Sequence, residues 1–237
     1  MTIFYLVAEG VTDWDILNAV APLIADDLDI QRLHPQEVVD NTSRSTDEAG
    51  WVGVLRYIES EKFTQVVTNL AEDEYVVVQI DTDVAQETHF GVDLRPVDGV
   101  PPTTEVLIER VIANLRGRCL QLDAALLDTR VIFAICVNCI ECWLLPYFFA
   151  PPTAAKESGC IRKLNEILTG RHNLPGIDPG NKDHEIYYKI AQFARKKRKK
   201  YFTDGNVSLD TFLNVARERL RSAAEQGIAA AVASLRS

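Results

Sequence analysis

Residues 75–83 read YVVVQIDTD, an apolar run that ends in two aspartates, and this stretch decides the fold. A continuous apolar run rich in β-branched residues is typical of a strand covered on both faces, as in a parallel sheet. Residues 2–9 predict a second such strand, which ends at Glu9. Functional groups of open α/β sheets gather beyond the carboxyl ends of the strands. The two runs therefore predict that Glu9, Asp81 and Asp83 surround one small volume.

The order of elements along the chain predicts a three-layer, Rossmann-like α/β fold, with a mainly parallel sheet and helices on both faces. The predicted elements are a helix from a Thr12 N-cap to about residue 25, a short strand near residues 37–39, a helix from Gly50 into the sixties, a helix capped by Thr103 or Thr104, and a strand over 130–137.

Pro151-Pro152 marks the predicted boundary between an α/β domain, residues 1–150, and a helical C-terminal extension, residues 151–237. The extension is predicted to hold helices over 160–169, 184–200 and 209–226, and Gly227 is expected to break the last one. A chain of 237 residues can bury a core as one domain with a smaller appendage.

Composition excludes some classes of protein. The formal net charge is −9, so a polyanion would have to meet a local basic patch. No signal-type segment opens the chain, and the apolar run over 131–137 is too short to cross a bilayer. Five cysteines do not suggest a disulfide framework. The sequence predicts a cytoplasmic protein without a membrane segment.

Glu9, Asp81 and Asp83 are the predicted metal ligands. Side chains alternate along a strand, so Asp81 and Asp83 are expected to point the same way and Thr82 the opposite way. Mg²⁺ is typically held by one or two carboxylates plus phosphate oxygens, which favours Mg²⁺ or Mn²⁺ as the cofactor. Gly10 is expected to let the backbone turn sharply and a phosphate come close.

Three more acids lie near these strand ends. Asp13 falls in the first turn of the predicted helix, where either a site role or the helix dipole explains it, whereas Asp15 is predicted to act only as a cap. Glu141 lies in an apolar stretch, where a carboxylate is costly unless it is paired or on a metal. Glu141 is therefore predicted to belong to the site.

Three motifs together resemble the Toprim domain of topoisomerases, primases and OLD-type nucleases. They are Glu9-Gly10-x-x-Asp13, Ile80-Asp81-Thr82-Asp83 and Glu141-Cys142-Trp143-Leu144-Leu145. The likeness covers about residues 1–150 and is greatest to the small stand-alone OLD-like and RloB-like proteins of prokaryotic defence loci. It implies a Toprim-like fold with Glu9 as metal ligand and general base, Asp81 and Asp83 as ligands, and Glu141 as a further acid.

The resemblance also bears on catalysis and regulation. Lys189, which follows two tyrosines, matches a lysine that would stabilise phosphate charge. The predicted catalytic residues are thus Glu9, Asp13, Glu141 and Lys189. Full-length OLD proteins carry an ATPase domain, but no G-x-x-x-x-G-K-[ST] motif occurs here, so nucleotide-driven regulation would be absent or would come from a partner protein.

A basic run at residues 195–200 is the predicted nucleic-acid contact, through Lys196, Lys197, Arg198, Lys199 and Lys200. Phe193, Tyr201 and Phe202 flank it, and rings beside cations are common on nucleic-acid surfaces. The alternative is a solvated helix end, where cations suit the helix dipole.

The favoured function is a Mg²⁺- or Mn²⁺-dependent Toprim endonuclease acting in defence against phage or plasmids, with a nucleic-acid substrate, a separate defence partner and a possible homodimer. One alternative is a non-catalytic binding module with a vestigial Toprim site. A haloacid-dehalogenase phosphatase is disfavoured, since its D-x-D motif lies on the first strand and is followed two residues later by Thr, where this chain has Ala85. The cysteines are predicted to be core residues rather than zinc ligands, and the four histidines to be non-catalytic.

Overall fold

The chain folds around a four-stranded sheet in which all strands are parallel. The computed structural model describes residues 1–35, 49–93, 95, 100–198, 201 and 205–234, and side chains as far as residue 225. The strands are β1 (Ile3–Val7), β2 (Asp29–His34), β3 (Glu74–Asp81) and β4 (Val131–Cys136). The helices are α1 (Val11–Ile24), α2 (Trp51–Ile58), α3 (Glu61–Thr68), α4 (Thr104–Arg118), α5 (Ala124–Arg130), the 3₁₀ helix η1 (Ile140–Tyr147), α6 (Cys160–Arg171), α7 (His184–Lys197) and α8 (Val207–Ser234).

The strand order β2-β1-β3-β4 creates a switch point between β1 and β3. The connection after β1 leads outward to β2 on one side, and the connection after β3 leads outward to β4 on the other. Open α/β sheets bind ligands in the crevice beyond the carboxyl ends of the strands at such a point. The predicted adjacency of the strands that end at Glu9 and Asp81 is confirmed, because β1 and β3 pair in parallel with Val7 opposite Val78.

Each face of the sheet buries its own hydrophobic core, which confirms the three-layer α/β prediction. Side chains alternate along β3, so Val77 packs on one face and Val76 on the other. The first core lies between the sheet and α1, η1, α6, α7 and α8. The second lies between the sheet and α2, α3, α4 and α5.

The C-terminal helices complete the first core. The ring of Trp143 stacks on Phe212 of α8, with centroids 5.2 Å apart. Buried Ser208 Oγ accepts hydrogen bonds from Trp143 Nε1 at 2.6 Å and from the Val137 N–H at 3.4 Å. The described residues after Pro152 are largely helical, as predicted, and their helices cover one face of the sheet.

Several predicted helix boundaries were wrong. Gly10, not Thr12, is the N-cap of α1. The predicted second helix is divided in two, because Ser60 caps α3 by accepting a hydrogen bond from the Phe63 N–H. The last helix continues past Gly227 to Ser234. One glycine costs only about 1 kcal/mol relative to alanine in a helix, which a 28-residue helix can accommodate.

The sequence did not predict β2. Its residues, DIQRLH, form no apolar run, and the strand lies at the sheet edge, where only Ile30 and His34 are buried. The predicted strand near residues 37–39 lies outside the described residues.

A disulfide joins Cys142 in η1 to Cys160 at the start of α6, which the sequence did not predict. The bond leaves neither sulfur free to bind zinc. Cys119 and Cys136 are free and buried, as predicted for core cysteines, and Cys139 is free and partly buried. No helix in the described part of the chain is long and apolar enough to cross a membrane.

Replacing Ser208 by alanine should show how firmly α8 is joined to the sheet. The substitution leaves the buried Trp143 Nε1 and Val137 N–H without their acceptor, and such loss costs about 1–3 kcal/mol. We expect the free energy of unfolding in urea to fall by that amount. Ser222→Ala, at an exposed position of the same helix, should change it by less than about 0.5 kcal/mol. Equal effects of the two variants would contradict a shared core.

Candidate functional site

The ends of β1 and β3 are joined by side chains at the switch point. Glu9 Oε1 accepts a hydrogen bond from the Asp81 N–H at 2.7 Å. Gln79, buried in β3, accepts from the Glu9 N–H at 3.3 Å and donates from Nε2 to Asp81 Oδ1 at 2.9 Å. Two of the predicted acids therefore share one site, and Gln79, which the sequence did not single out, orients both.

Asp13 enters the site from the first turn of α1. Its Oδ2 accepts a hydrogen bond from the Gly10 N–H at 2.8 Å, which fixes the helix start. Asp13 is buried, and its Oδ1 has no hydrogen-bond partner. Helix capping thus accounts for only one of its two oxygens.

Glu141 enters from the turn after β4. Asn138 takes a positive φ of 61°, a conformation that asparagine tolerates better than most residues, and its N–H donates to Thr82 Oγ1 at 2.9 Å. This turn brings Glu141 to the start of η1, completely buried. Tyr187 donates to Glu141 Oε1 at 2.5 Å, and Glu141 Oε2 has no hydrogen-bond partner.

Lys182 is the functional candidate that the sequence did not reveal. Its Nζ lies 3.6 Å from Glu141 Oε1, and its side chain is 41% exposed. The residue directly precedes Asp183, whose side chain caps α7 by accepting from the N–H groups of Glu185 and Ile186. A single lysine in a polar turn carries no sequence signal. Its importance depends on where the start of α7 docks.

Burial and mutual repulsion raise the pKa values of Glu9, Asp13 and Asp81. Burial raises the pKa of Glu9 to about 7, against the hydrogen bond from the Asp81 N–H, and Asp13 and Asp83 raise it further. Burial likewise raises the pKa of Asp13 to about 6, although Lys182 lowers it. The pKa of Asp81 lies well above its ordinary value because of burial and the charges of Asp13 and Glu9.

The cluster favours the charged form of Lys182, whereas it disfavours the charged forms of Glu9, Asp13 and Asp81. Burial disfavours its charged form, but the nearby carboxylates outweigh that effect and raise its pKa. The interacting acids are Asp13, Glu141, Asp81 and Glu9. Lys182 therefore stays protonated and supplies positive charge to the whole cluster.

Asp83 lies beyond the strand that was predicted to orient it. β3 ends at Asp81, so the alternation of side chains no longer applies, and Asp83 falls in an exposed turn. Burial nevertheless raises the pKa of Asp83, while Lys182 lowers it, so this carboxylate lies within the field of the cluster. Asp83 is thus at the rim and Asp81 inside.

Gly10 is not needed for the turn after β1, contrary to expectation. Its φ of −148° is an extended conformation that any residue adopts. A Cβ atom added there would meet Asp13 Oδ2 at 3.7 Å, an ordinary contact.

The structure does not bring Lys189 to the cluster. Lys189 lies on the exposed side of α7, with Nζ 3.5 Å from Glu185 Oε2. It follows Tyr187 by two residues, about 200° around a helix, and so faces away from Glu141. Of these two lysines, Lys182 is the one that lies beside Glu141.

The described part of the basic run, residues 195–198, lies at the other end of α7 from the cluster. A helix of 14 residues is about 21 Å long, so its last turn is remote from its first. Arg198 pairs with Asp26, just beyond the end of α1, at 2.6 Å. Lys196 is exposed and Lys197 packs over aromatic rings. Lys199 and Lys200 lie outside the described residues.

Asp15 is not a cap. It is buried, and its Oδ2 lies 2.7 Å from His184 Nδ1 at the start of α7. This contact fixes the first turn of α7 against α1. The Asp15–His184 pair thereby helps to place Lys182 and Tyr187 at the acidic cluster.

The donor set suits a hard divalent cation. Carboxylate oxygens are the ligands that Mg²⁺ and Mn²⁺ prefer, and Asp13 Oδ1 and Glu141 Oε2 are buried without hydrogen-bond partners. As the side chains stand, no three His, Cys, Asp or Glu residues of the described chain are arranged to hold a metal. The carboxylates repel one another when no cation lies between them. Binding of a divalent cation would therefore require their side chains to move closer together.

Comparison with known proteins produced no match: no protein-family model, no curated protein and no solved structure matches this chain. What the site can do chemically follows from its own geometry.

The raised pKa values predict how stability varies with pH in the absence of metal. The pKa of Glu9 rises from 4.5 to about 7 and that of Asp13 from 3.8 to about 6, so the folded protein binds more protons than the unfolded chain between these limits. This stabilisation is complete below the unfolded pKa and is lost as pH rises through the folded one. We expect the free energy of unfolding in EDTA to fall as pH rises from 4.5 to about 7, at about 1.4 kcal/mol or less per pKa unit and group.

Urea unfolding at several pH values measures this dependence, and Glu9→Gln should make it shallower because one of the groups no longer titrates. A free energy of unfolding that rises across this pH range, or a slope that Glu9→Gln leaves unchanged, would contradict the assignment.

Proposed function

We propose that this protein is a divalent-metal-dependent nuclease that hydrolyses phosphodiester bonds through a Toprim-type acidic cluster. One observation carries the proposal. At the switch point of a parallel sheet, four acids share a site in which two buried carboxylate oxygens, Asp13 Oδ1 and Glu141 Oε2, lack a partner. Buried charged groups are normally paired or on a metal, so these oxygens favour a cation ligand.

Each residue of the cluster has a distinct role in this proposal. Asp13, Asp81 and Glu141, with Asp83 at the rim, would hold the cation, and Glu9 would be both ligand and general base. A bound Mg²⁺ or Mn²⁺ supplies polarisation of the scissile phosphate. In the metal-free site burial raises the pKa of Glu9 to about 7, and a bound cation would lower it, so Glu9 would be ionised near neutral pH and able to accept a proton from the attacking water.

Lys182 and two neutral side chains complete the site. The protonated Lys182 ammonium would stabilise the negative charge that grows on the phosphate oxygens. Gln79 holds Asp81 and Tyr187 holds Glu141, each through a direct hydrogen bond. Burial and the Glu141 charge raise the pKa of Tyr187, so its hydroxyl remains a donor.

The helix termini support an anionic substrate. α1 begins beside Asp13, and the first turns of α7 reach Glu141 through Tyr187. Asp183 already accepts from the first N–H groups of α7, so what these helix termini contribute is the partial positive charge of the helix dipole, which favours phosphate.

A non-catalytic module with a vestigial Toprim site is the second candidate, and Lys182 favours it. Its ammonium lies 3.6 Å from Glu141 Oε1 and interacts with four acids, so the cluster is partly neutralised without any metal. In this alternative the lysine and the acids stabilise the fold, and no reaction occurs.

The biological part of the proposal depends on the resemblance of residues 1–150 to small Toprim proteins of defence loci. The substrate would then be invading phage or plasmid nucleic acid, in the cytoplasm. A separate protein would sense infection, and two copies of this chain would together cut both strands of a duplex.

Asp81→Asn tests the metal-dependent reaction. Purified protein would be incubated with plasmid, single-stranded DNA and tRNA in Mg²⁺, Mn²⁺ or EDTA. We expect cleavage by the wild type with either metal but not in EDTA, and none by the variant. Metal-free stability should stay level or rise in the variant, since one repelling charge is gone.

A thermal-shift measurement separates the two candidates. Ligands that bind only the folded state stabilise it by RT ln(1 + [L]/Kd), so added Mg²⁺ should raise the wild-type Tm more than that of Asp81→Asn. A lower Tm in the variant, with no effect of metal on either protein, would instead support the non-catalytic module.

Lys182→Gln and Lys189→Gln form a matched pair that tests which lysine serves the site. Loss of a group that stabilises transition-state charge typically costs about 10²–10³ in kcat. We expect a loss of that order for Lys182→Gln and a change below about twofold for Lys189→Gln, whose side chain faces away from the cluster. Similar losses in the two variants would contradict the assignment of Lys182.

A further inference from the structure

A group of partly exposed aromatic rings lies where η1, α6 and α7 meet. Phe148 stacks on Phe193 with centroids 6.0 Å apart and an interplanar angle of 8°. His172 lies against both rings, at 5.9 Å from Phe148 and 4.7 Å from Phe193. Phe149 is the next residue along the chain and is also partly exposed. We call these four residues the aromatic surface.

Lysines lie over the rings of this surface. Lys197 Nζ is 5.0 Å from the ring centroid of Phe193 and 5.8 Å from that of Phe148. Lys163 Nζ is 5.5 Å from the ring centroid of Phe149. Phe148, Phe149 and Phe193 are thus partly exposed rings that each have a lysine ammonium beside them.

The surroundings are rich in positive charge. Burial lowers the pKa of His172, and the charges of Lys197 and Arg171 lower it further. Arg162, Arg195 and Lys196 are exposed on the same two helices. Among the described residues, the acids paired with cations of this region are Glu166, with Lys163, and Asp26, with Arg198. A local excess of cations in a chain of net charge −9 indicates an anionic partner.

We infer that the aromatic surface, with Lys163 and Lys197, is a binding site for single-stranded nucleic acid. Bases that are not paired can stack on Phe and His rings while lysines contact the phosphates between them. In a duplex the base faces are already stacked on one another and cannot reach the rings. The partly exposed rings therefore distinguish a single strand from a duplex, which the cations alone would not.

This site is separate from the acidic cluster. Phe148 follows Glu141 by seven residues, about 14 Å along a 3₁₀ helix. Phe193 follows Tyr187 by six residues, about 9 Å along α7. Binding here needs no metal and no cleavage, so this inference and the proposed nuclease function can fail independently.

The aromatic surface differs from the predicted basic contact. Within the described part of the basic run, Lys197 lies over rings of the aromatic surface. The other lysine at this surface, Lys163, and the rings of Phe148, Phe149 and His172 are far from the run in sequence. Tyr201, one of the flanking aromatics, packs instead against Tyr147 with centroids 5.5 Å apart, and its hydroxyl bonds to Asp210.

Fluorescence anisotropy with a labelled oligothymidylate of about 20 nucleotides, longer than one expected site, tests the inference. The measurement is made in EDTA at about 50 to 200 mM salt, with a duplex of equal length for comparison. We expect Phe193→Leu, which keeps apolar packing but removes the ring, to weaken binding of the single strand about 5- to 100-fold. Its salt dependence should not change, because stacking releases no counterions.

Removing the charges should have the complementary effect. Lys163→Gln combined with Lys197→Gln should weaken binding and flatten the log–log salt slope by about 1.4, since each single-strand phosphate contact contributes about 0.7. Lys62→Gln is the matched control, because Lys62 lies 5.7 Å from the Tyr57 ring centroid on the other face of the sheet. It should leave binding unchanged.

Three results would each overturn the inference. They are failure of the wild type to bind the oligothymidylate, binding of the duplex at least as tight as that of the single strand, and equal binding by the wild type and Phe193→Leu. Circular dichroism of each variant confirms that it is folded.

Discussion

The burial of several carboxylates beside one lysine is the constraint on which the rest of this structure depends. Two like charges about 4 Å apart repel by about 4 kcal/mol at the effective dielectric near a protein surface. Glu9, Asp13, Asp81 and Glu141 can share a site only because three of their pKa values are raised and because Lys182 supplies positive charge. Repulsion within such a cluster lowers the stability of the folded protein, and destabilising clusters of this kind occur mostly at functional sites.

The two halves of the chain both contribute to this site. The strands of the first half bring Glu9 and Asp81 together, and the second half supplies Lys182 and Tyr187 from the start of α7. The Asp15–His184 contact holds that helix end against α1. The C-terminal helices therefore do more than cover the sheet, since they also compensate the charge of the acidic cluster.

The acidic cluster and the cations beside the aromatic surface lie at opposite ends of α7. Its first turns meet the acids, while its last turn carries Lys197 beside the aromatic rings of η1 and α6. An anionic chain that contacts the second region would lie within about 9–14 Å of the first, by the lengths of the intervening helices. In the proposed nuclease this arrangement would separate the binding of the substrate from the reaction at the acids.

The sequence by itself determined the three-layer α/β class and the meeting of Glu9 with Asp81. Both follow from local patterns, because long apolar runs must be buried on two faces and parallel strands place their carboxyl ends at one edge. The sequence also identified Glu141, since an acid in an apolar stretch needs a partner.

Only the tertiary structure decided which lysine lies beside the acidic cluster and where the described part of the basic run lies. Lys182 and Lys189 are indistinguishable in sequence, but the docking of α7 on α1 turns one toward Glu141 and the other toward solvent. The strand ends two residues before Asp83, so strand alternation could not orient that side chain, and the Cys142–Cys160 bond could not be foreseen from spacing. These features depend on contacts between residues far apart in the chain, and local periodicity carries no information about such contacts.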